Sequence, residues 1–157
     1  MKPHTDEDNH PRNSQEATED TLLRLFDTTF IIDLVNGDPG TAKLAKTVDE
    51  EESFAAISVI TVHEYLLGVH FAYTGPGEIQ DRLEKARRDM IPYQTIPLTA
   101  EIVEESSKVQ AQMQRRGETP GINDLYIAST ALTLKLALVT RKDQDFRRIP
   151  GLKVETY

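Results

Sequence analysis

Cysteine is absent from the 157 residues, which excludes a disulfide-stapled scaffold and a cysteine-ligated zinc or iron–sulfur site. Long apolar runs are missing too. Stretches such as Ile31-Ile32 and Ala55-Ala56-Ile57 fall far short of the roughly 18 residues that a membrane-spanning helix requires, so the chain reads as a soluble protein. The first twenty residues lack the apolar segment of a signal peptide, and a cytoplasmic, reducing compartment is the expectation. A basic excess is lacking as well. The net charge of −8 argues against strong non-specific binding to nucleic acid, so any nucleic-acid site must be local. No internal repeat is found. Gly75-Pro76-Gly77 follows a helical pattern and lacks the Lys-Ser/Thr ending of a phosphate loop, and no serine nucleophile elbow occurs.

What is present suits one compact domain with a single core: 38% apolar and 28% charged residues. Residues 1 to 20 hold only Met1 and Ala17 as apolar residues, with six acids against two bases. They carry half of the net charge and read as a disordered acidic leader, leaving 21 to 157 as the folded unit. His4 and His10, near Asp6, Glu7 and Asp8, read as part of that solvated leader rather than as a metal tail.

From Thr21 onward, short apolar runs alternate with helical periods. Strands are expected at Leu22–Phe26, Ser53–Ile60, Tyr93–Pro97, Leu136–Val139 and Leu152–Tyr157. Helices are expected from Thr28 or Thr29 to Val35, over Thr41–Glu52, Val62–Tyr73 and Glu78–Met90, after Thr99, and from Thr119-Pro120 to Leu134. In the helix after Thr99, Ile102, Ser106, Val109 and Met113 recur on one face. Arg141–Arg148 is a polar segment with room for one helical turn. This order predicts a three-layer α/β sandwich with a mainly parallel central sheet, whose sites lie beyond the carboxyl ends of the strands.

Acidic residues recur at that edge. Asp27 follows the first strand, Glu64 lies four residues past the second, and Thr140 closes the fourth with Asp143 and Asp145 just beyond. Asp124 sits in an apolar context, among Ile122, Leu125, Ile127 and Ala128, where a carboxylate needs a partner. Converging carboxylates repel one another unless a cation lies among them. A hard divalent ion such as Mg²⁺ or Mn²⁺ answers that need and suits metal-assisted hydrolysis of a phosphodiester. Each acid also has a bland alternative. Thr61-Val62-His63-Glu64 matches a capping box, Asp27 and Asp124 suit helix N-termini, and Asp143 with Asp145 suits a solvated turn. His63 and His70 are about 10.5 Å apart along one helix, too far to share an ion.

Four blocks of the sequence, in order, resemble the PIN-domain family, and in particular VapC-type toxins of toxin–antitoxin pairs. They are Phe26-Asp27-Thr28-Thr29-Phe30-Ile31-Ile32-Asp33, the run Ser58 to Val69, the run Asn123 to Ala131, and Leu138 to Phe146 leading into Ile149-Pro150-Gly151-Leu152. The resemblance implies a Mg²⁺- or Mn²⁺-dependent endoribonuclease with a separate antitoxin partner and a homodimeric assembly. Asp27, Glu64 and Asp124 match the family's metal-binding acids, and Thr28 and Thr140 its hydroxyl positions, which orient the carboxylates. Many relatives carry Asp or Asn two residues after that threonine, where this chain has Lys142. Asp145 is taken as the fourth acid, with Asp143 as substitute. Arg141, Lys142, Arg147 and Arg148, with Arg115 and Arg116, are the candidates for RNA phosphate contact. Two alternatives stay open: a non-catalytic PIN-like domain that binds RNA or protein, and a HAD-like phosphatase, which wants a second acid where Thr29 stands.

Overall fold

The computed structural model describes residues 22–157; the expected acidic leader lies outside the described residues. Five strands, β1 (Arg24–Phe26), β2 (Ala55–Ser58), β3 (Gln94–Ile96), β4 (Ala137–Val139) and β5 (Val154–Glu155), form one sheet in the order β3-β2-β1-β4-β5. All four pairings are parallel. The helices are α1 (Thr28–Val35), α2 (Pro39–Glu50), α3 (Val59–Ala72), α4 (Pro76–Met90), α5 (Ala100–Arg115), α6 (Ile122–Leu134) and the single turn α7 (Asp143–Phe146).

Alternation along the strands divides the core in two, because successive side chains point to opposite faces of a sheet. Leu25, Ala56 and Leu138 pack with Ile102, Val109, Met113, Leu125 and Ala128 of α5 and α6. Their chain neighbours Phe26, Ile57 and Val139 pack with Phe30, Ile31, Val48 and Met90 of α1, α2 and α4. The expected three-layer sandwich is therefore present, with a sheet that is wholly parallel among the described residues. β1 sits at its centre, where Phe26 pairs in register with Val139. Strand order reverses between β1 and β4, and their carboxyl ends frame the crevice in which such sheets carry their sites.

The element boundaries shift in ways that matter for the site. Asp27, rather than Thr28 or Thr29, caps α1, its carboxylate accepting from the Thr28 N–H. β2 is shorter than expected because Ser58 caps α3, its hydroxyl accepting from the Ile60 N–H at 3.0 Å. Thr61 is consequently inside α3, so the capping box with Glu64 does not form. Pro120 does not open α6, which begins at Ile122 behind Gly121 and so places Asp124 in its first turn. Pro39 does open α2, one residue after the cap Asp38, where its missing N–H costs nothing. The last strand contracts to Val154–Glu155.

Candidate active site

Asp27 leaves the carboxyl end of β1 and is 1% exposed. Its Oδ1 accepts from the Thr28 N–H at 2.7 Å. Its Oδ2 accepts from the hydroxyls of Thr29, at 3.1 Å, and of Thr140, at 2.8 Å. Those hydroxyls also fix the loop after β4: Thr140 Oγ1 accepts from the Lys142 N–H at 3.0 Å and Thr29 Oγ1 from the Arg141 N–H at 3.3 Å. One buried carboxylate thereby ties the ends of β1 and β4 together. Burial pushes the Asp27 carboxyl up from its ordinary range, the Asp124 charge adds to this, and the Thr140 bond, the Lys142 charge and the Thr28 N–H oppose it without cancelling it.

Glu64 reaches the site from the second turn of α3. Its Oε1 accepts from the Thr28 hydroxyl at 2.7 Å, and the hydroxyls of Thr28 and Thr61 hydrogen-bond at 3.1 Å. Thr28 thus orients Glu64, while Thr140 orients Asp27. Asp124, from the first turn of α6, meets Lys142, whose Nζ donates to Oδ1 at 3.1 Å and to Oδ2 at 3.2 Å. Burial alone would lower the Lys142 pKa. The contact with Asp124 and the charges of Asp27 and Glu64 outweigh that and raise it, so the ammonium is retained. Asp27, Glu64 and Asp124 therefore share one electrostatic neighbourhood with a lysine.

The fourth acid has a different setting. Asp145 is exposed on α7 and, with Asp124 and Arg148, lines a cavity of about 460 Å³ between α6 and the end of α5. Asp143 instead pairs with Arg147 at 3.3 Å. Of the basic candidates, Arg141 is held by Asp33 at 2.8 Å, although its side chain remains 62% exposed. Arg116 pairs with Glu118 at 3.3 Å and donates to the Arg148 carbonyl at 2.6 Å. Arg115 and Arg148 are exposed. His63 and His70 are exposed on α3.

Sequence reasoning passed over three side chains. Thr29 bonds Asp27, Thr61 backs Thr28, and Asp33 accepts from Arg141 and, at 2.6 Å, from the Tyr157 hydroxyl. Asp33 stands six residues after Asp27 in the first of the four blocks, which is a usable signal. The local pattern of Thr61 marks it as a helix cap, not as a partner of Thr28. At Thr29 a HAD-like phosphatase would need an acid; the threonine found there instead donates to Asp27.

Among the described residues, no three His, Cys, Asp or Glu side chains stand arranged to hold one metal ion. In kind, however, the donor set fits a hard divalent cation: carboxylate oxygens on Asp27, Glu64 and Asp124, the first two oriented by hydroxyls, on the edge where α/β sheets bind ligands.

Comparison with known proteins places this arrangement in context. The family model described as PIN domain matches residues 24–152. Ribonuclease VapC1 of Methanocaldococcus jannaschii is 28% identical over 132 residues, covering 83% of this chain and 85% of that protein. Ribonuclease VapC of Rickettsia bellii is 28% identical over 138 residues, covering 84% and 94% respectively. Among solved structures, VapBC2 from Rickettsia felis bound to a promoter DNA fragment superposes with a TM-score of 0.77 at 23% identity, covering 87% of this chain and 99% of that one. A toxin–antitoxin complex from Klebsiella pneumoniae superposes with a TM-score of 0.64 at 26% identity, covering 85% of this chain and 96% of that one.

Proposed function

The chain belongs to the PIN-domain family, and on that premise we propose that it is a divalent-metal-dependent endoribonuclease, the toxin of a VapBC-type pair. The observation that carries this reading is that Asp27, Glu64 and Asp124, borne by three separate elements, lie near enough for all three charges to act on Lys142, with two of them oriented by threonine hydroxyls. Asp27, Glu64 and Asp124 would hold Mg²⁺ or Mn²⁺, with Asp145 as the fourth acid across the cavity from α6 and Asp143 as its substitute. When bound, such an ion draws charge off a phosphodiester and makes a hydrolytic nucleophile available at neutral pH.

The chain's own side chains have separate tasks. Thr140 and Thr29 hold Oδ2 of Asp27, and Thr28 aims Glu64. Arg148, which lines the same cavity as Asp124, would take an RNA phosphate, with Arg115, Arg141 and Arg147 extending the basic surface. This local patch answers the acidic total of the chain. An antitoxin is the inferred protein partner, since the solved relatives are toxin–antitoxin complexes, and a homodimer is the inferred assembly.

The test is incubation of the purified chain with a structured RNA pool under Mn²⁺, Mg²⁺ or EDTA. Cleavage that needs the ion and disappears in Asp27→Asn and Asp124→Asn supports the reading. The ion pair between Lys142 and Asp124 favours a second reading, a PIN domain that binds RNA or protein without cutting. Retention of RNA with no products under either ion would select it.

A further inference from the structure

Lys142 has no task in the chemistry proposed above, yet it is the residue in closest contact with Asp124. Its backbone is fixed by the bond from its N–H to Thr140 Oγ1 at 3.0 Å, and it sits immediately before α7. From there its side chain turns inward and places Nζ 3.1 and 3.2 Å from the two oxygens of Asp124. Among the described residues, Asp124 has no other hydrogen-bond partner, so both of its oxygens are committed to one ammonium. The same Nζ lies 5.9 Å from the centre of the Phe146 ring.

A lysine is a compact charge on a four-carbon stem, free to rotate about several bonds. The Lys142 side chain is 39% exposed and that of Asp124 is 29% exposed. Swinging the ammonium out to solvent therefore needs no movement of the backbone that Thr140 holds. An ion arriving at Asp124 meets a resident cation that occupies the oxygens it needs and repels it.

We propose that Lys142 is an internal competitor for the divalent ion: its ammonium holds Asp124 in the free chain, and the ion binds there only as the lysine side chain swings away. The proposal rests on the metal-dependent reading above.

Mn²⁺ titration calorimetry on the full chain, with melting temperatures measured with and without Mn²⁺, tests it in wild type, Lys142→Met, Lys142→Gln and Lys142→Arg. Loss of the ammonium is expected to tighten Mn²⁺ binding by about tenfold or more, the usual worth of a contact to a charged group. Both neutral variants should melt lower than wild type without metal and gain more from Mn²⁺. Using two neutral variants keeps the test readable where one folds poorly. Lys142→Arg, which keeps the charge, should bind within about threefold of wild type on the same scale.

Binding in Lys142→Met and Lys142→Gln that is no tighter than in a wild type that does bind would overturn the competitor role while leaving the metal site standing. Equal tightening in Lys142→Arg would overturn it too, because charge would not be the cause. Absence of binding in wild type and in both neutral variants would remove the metal site and the competitor together.

Discussion

The hydroxyl of Thr140 donates to Oδ2 of Asp27 at 2.8 Å, joining residues that are 113 positions apart in sequence. That bond crosses from β4 to β1 at the point where strand order reverses. It also opposes the effect of burial on the Asp27 carboxyl.

Replacing Thr140 by valine keeps the volume and removes the hydroxyl. The Lys142 N–H loses its acceptor and Asp27 loses one of two donors to Oδ2. A loss of about 1–3 kcal/mol in unfolding free energy is expected for buried groups left unpaired. Urea denaturation measures it, and a change indistinguishable from zero would mean that water or a rearranged loop replaces the bond.

Asp27→Asn is expected to leave the metal-free chain as stable as wild type at neutral pH, or more stable, since it removes a buried charge. The sign with pH follows from a folded-state pKa raised above the unfolded value. Protonated Asp27 contributes stability that is fully present below the unfolded pKa and lost as pH rises through the folded one. The advantage of Asp27→Asn over wild type should accordingly grow from acid to neutral pH in metal-free denaturation. A gap that does not vary with pH contradicts the raised carboxyl.

Thr28→Val separates orientation from folding. The hydroxyl that Glu64 accepts from is lost while the buried methyl surface is kept. RNA cleavage is expected to fall by about 10- to 100-fold, as when a group that orients a metal ligand is removed. Circular dichroism should show an unchanged fold, and full activity would remove Thr28 from the site.

Arg24 offers a test on the sheet itself. Its side chain is 8% exposed, and its Nε donates to Glu155 Oε2 at 2.8 Å, with Glu51 at 3.5 Å on the rim. Burial lowers the guanidinium pKa and the two carboxylates more than restore it. Glu155→Gln should cost about 2 kcal/mol, the worth of a hydrogen bond to a charged group, by leaving a buried cation short of its nearest partner, and Arg24→Met combined with Glu155→Gln should recover most of that loss. Thermal melts of the single and double variants decide it, and strict additivity would show that the pair is not coupled.

Much of the layered sheet was legible because each strand is short and the helices α1, α2, α4 and α5 are amphipathic. Leu25 beside Phe26 and Leu138 beside Val139 are what a strand buried on both faces requires. The acids at strand ends were legible for the same reason: Asp27 and Thr140 each follow an apolar run directly. Boundaries read less well where two signals competed. The Ser58 hydroxyl captured the Ile60 N–H and started α3 early, although Ile57 to Ile60 alone reads as strand. That shift moved Glu64 away from the backbone at Thr61 and toward Thr28.

By itself, the sequence determined the parallel α/β architecture, the edge at which acids gather, and the identity of the acids, because hydrophobic period and residue type are local properties. Tertiary structure alone decided which of them meet. Asp27 joined Thr29 and Thr140, Glu64 joined Thr28, and Asp124 was taken by Lys142, whereas Asp143 turned to Arg147 and Asp145 stayed exposed on the cavity. Those pairings depend on how β1 and β4 lie side by side and on where α3 and α6 begin. A hydrogen bond forms at about 3 Å, and no spacing along the chain fixes so short a distance between residues a hundred positions apart.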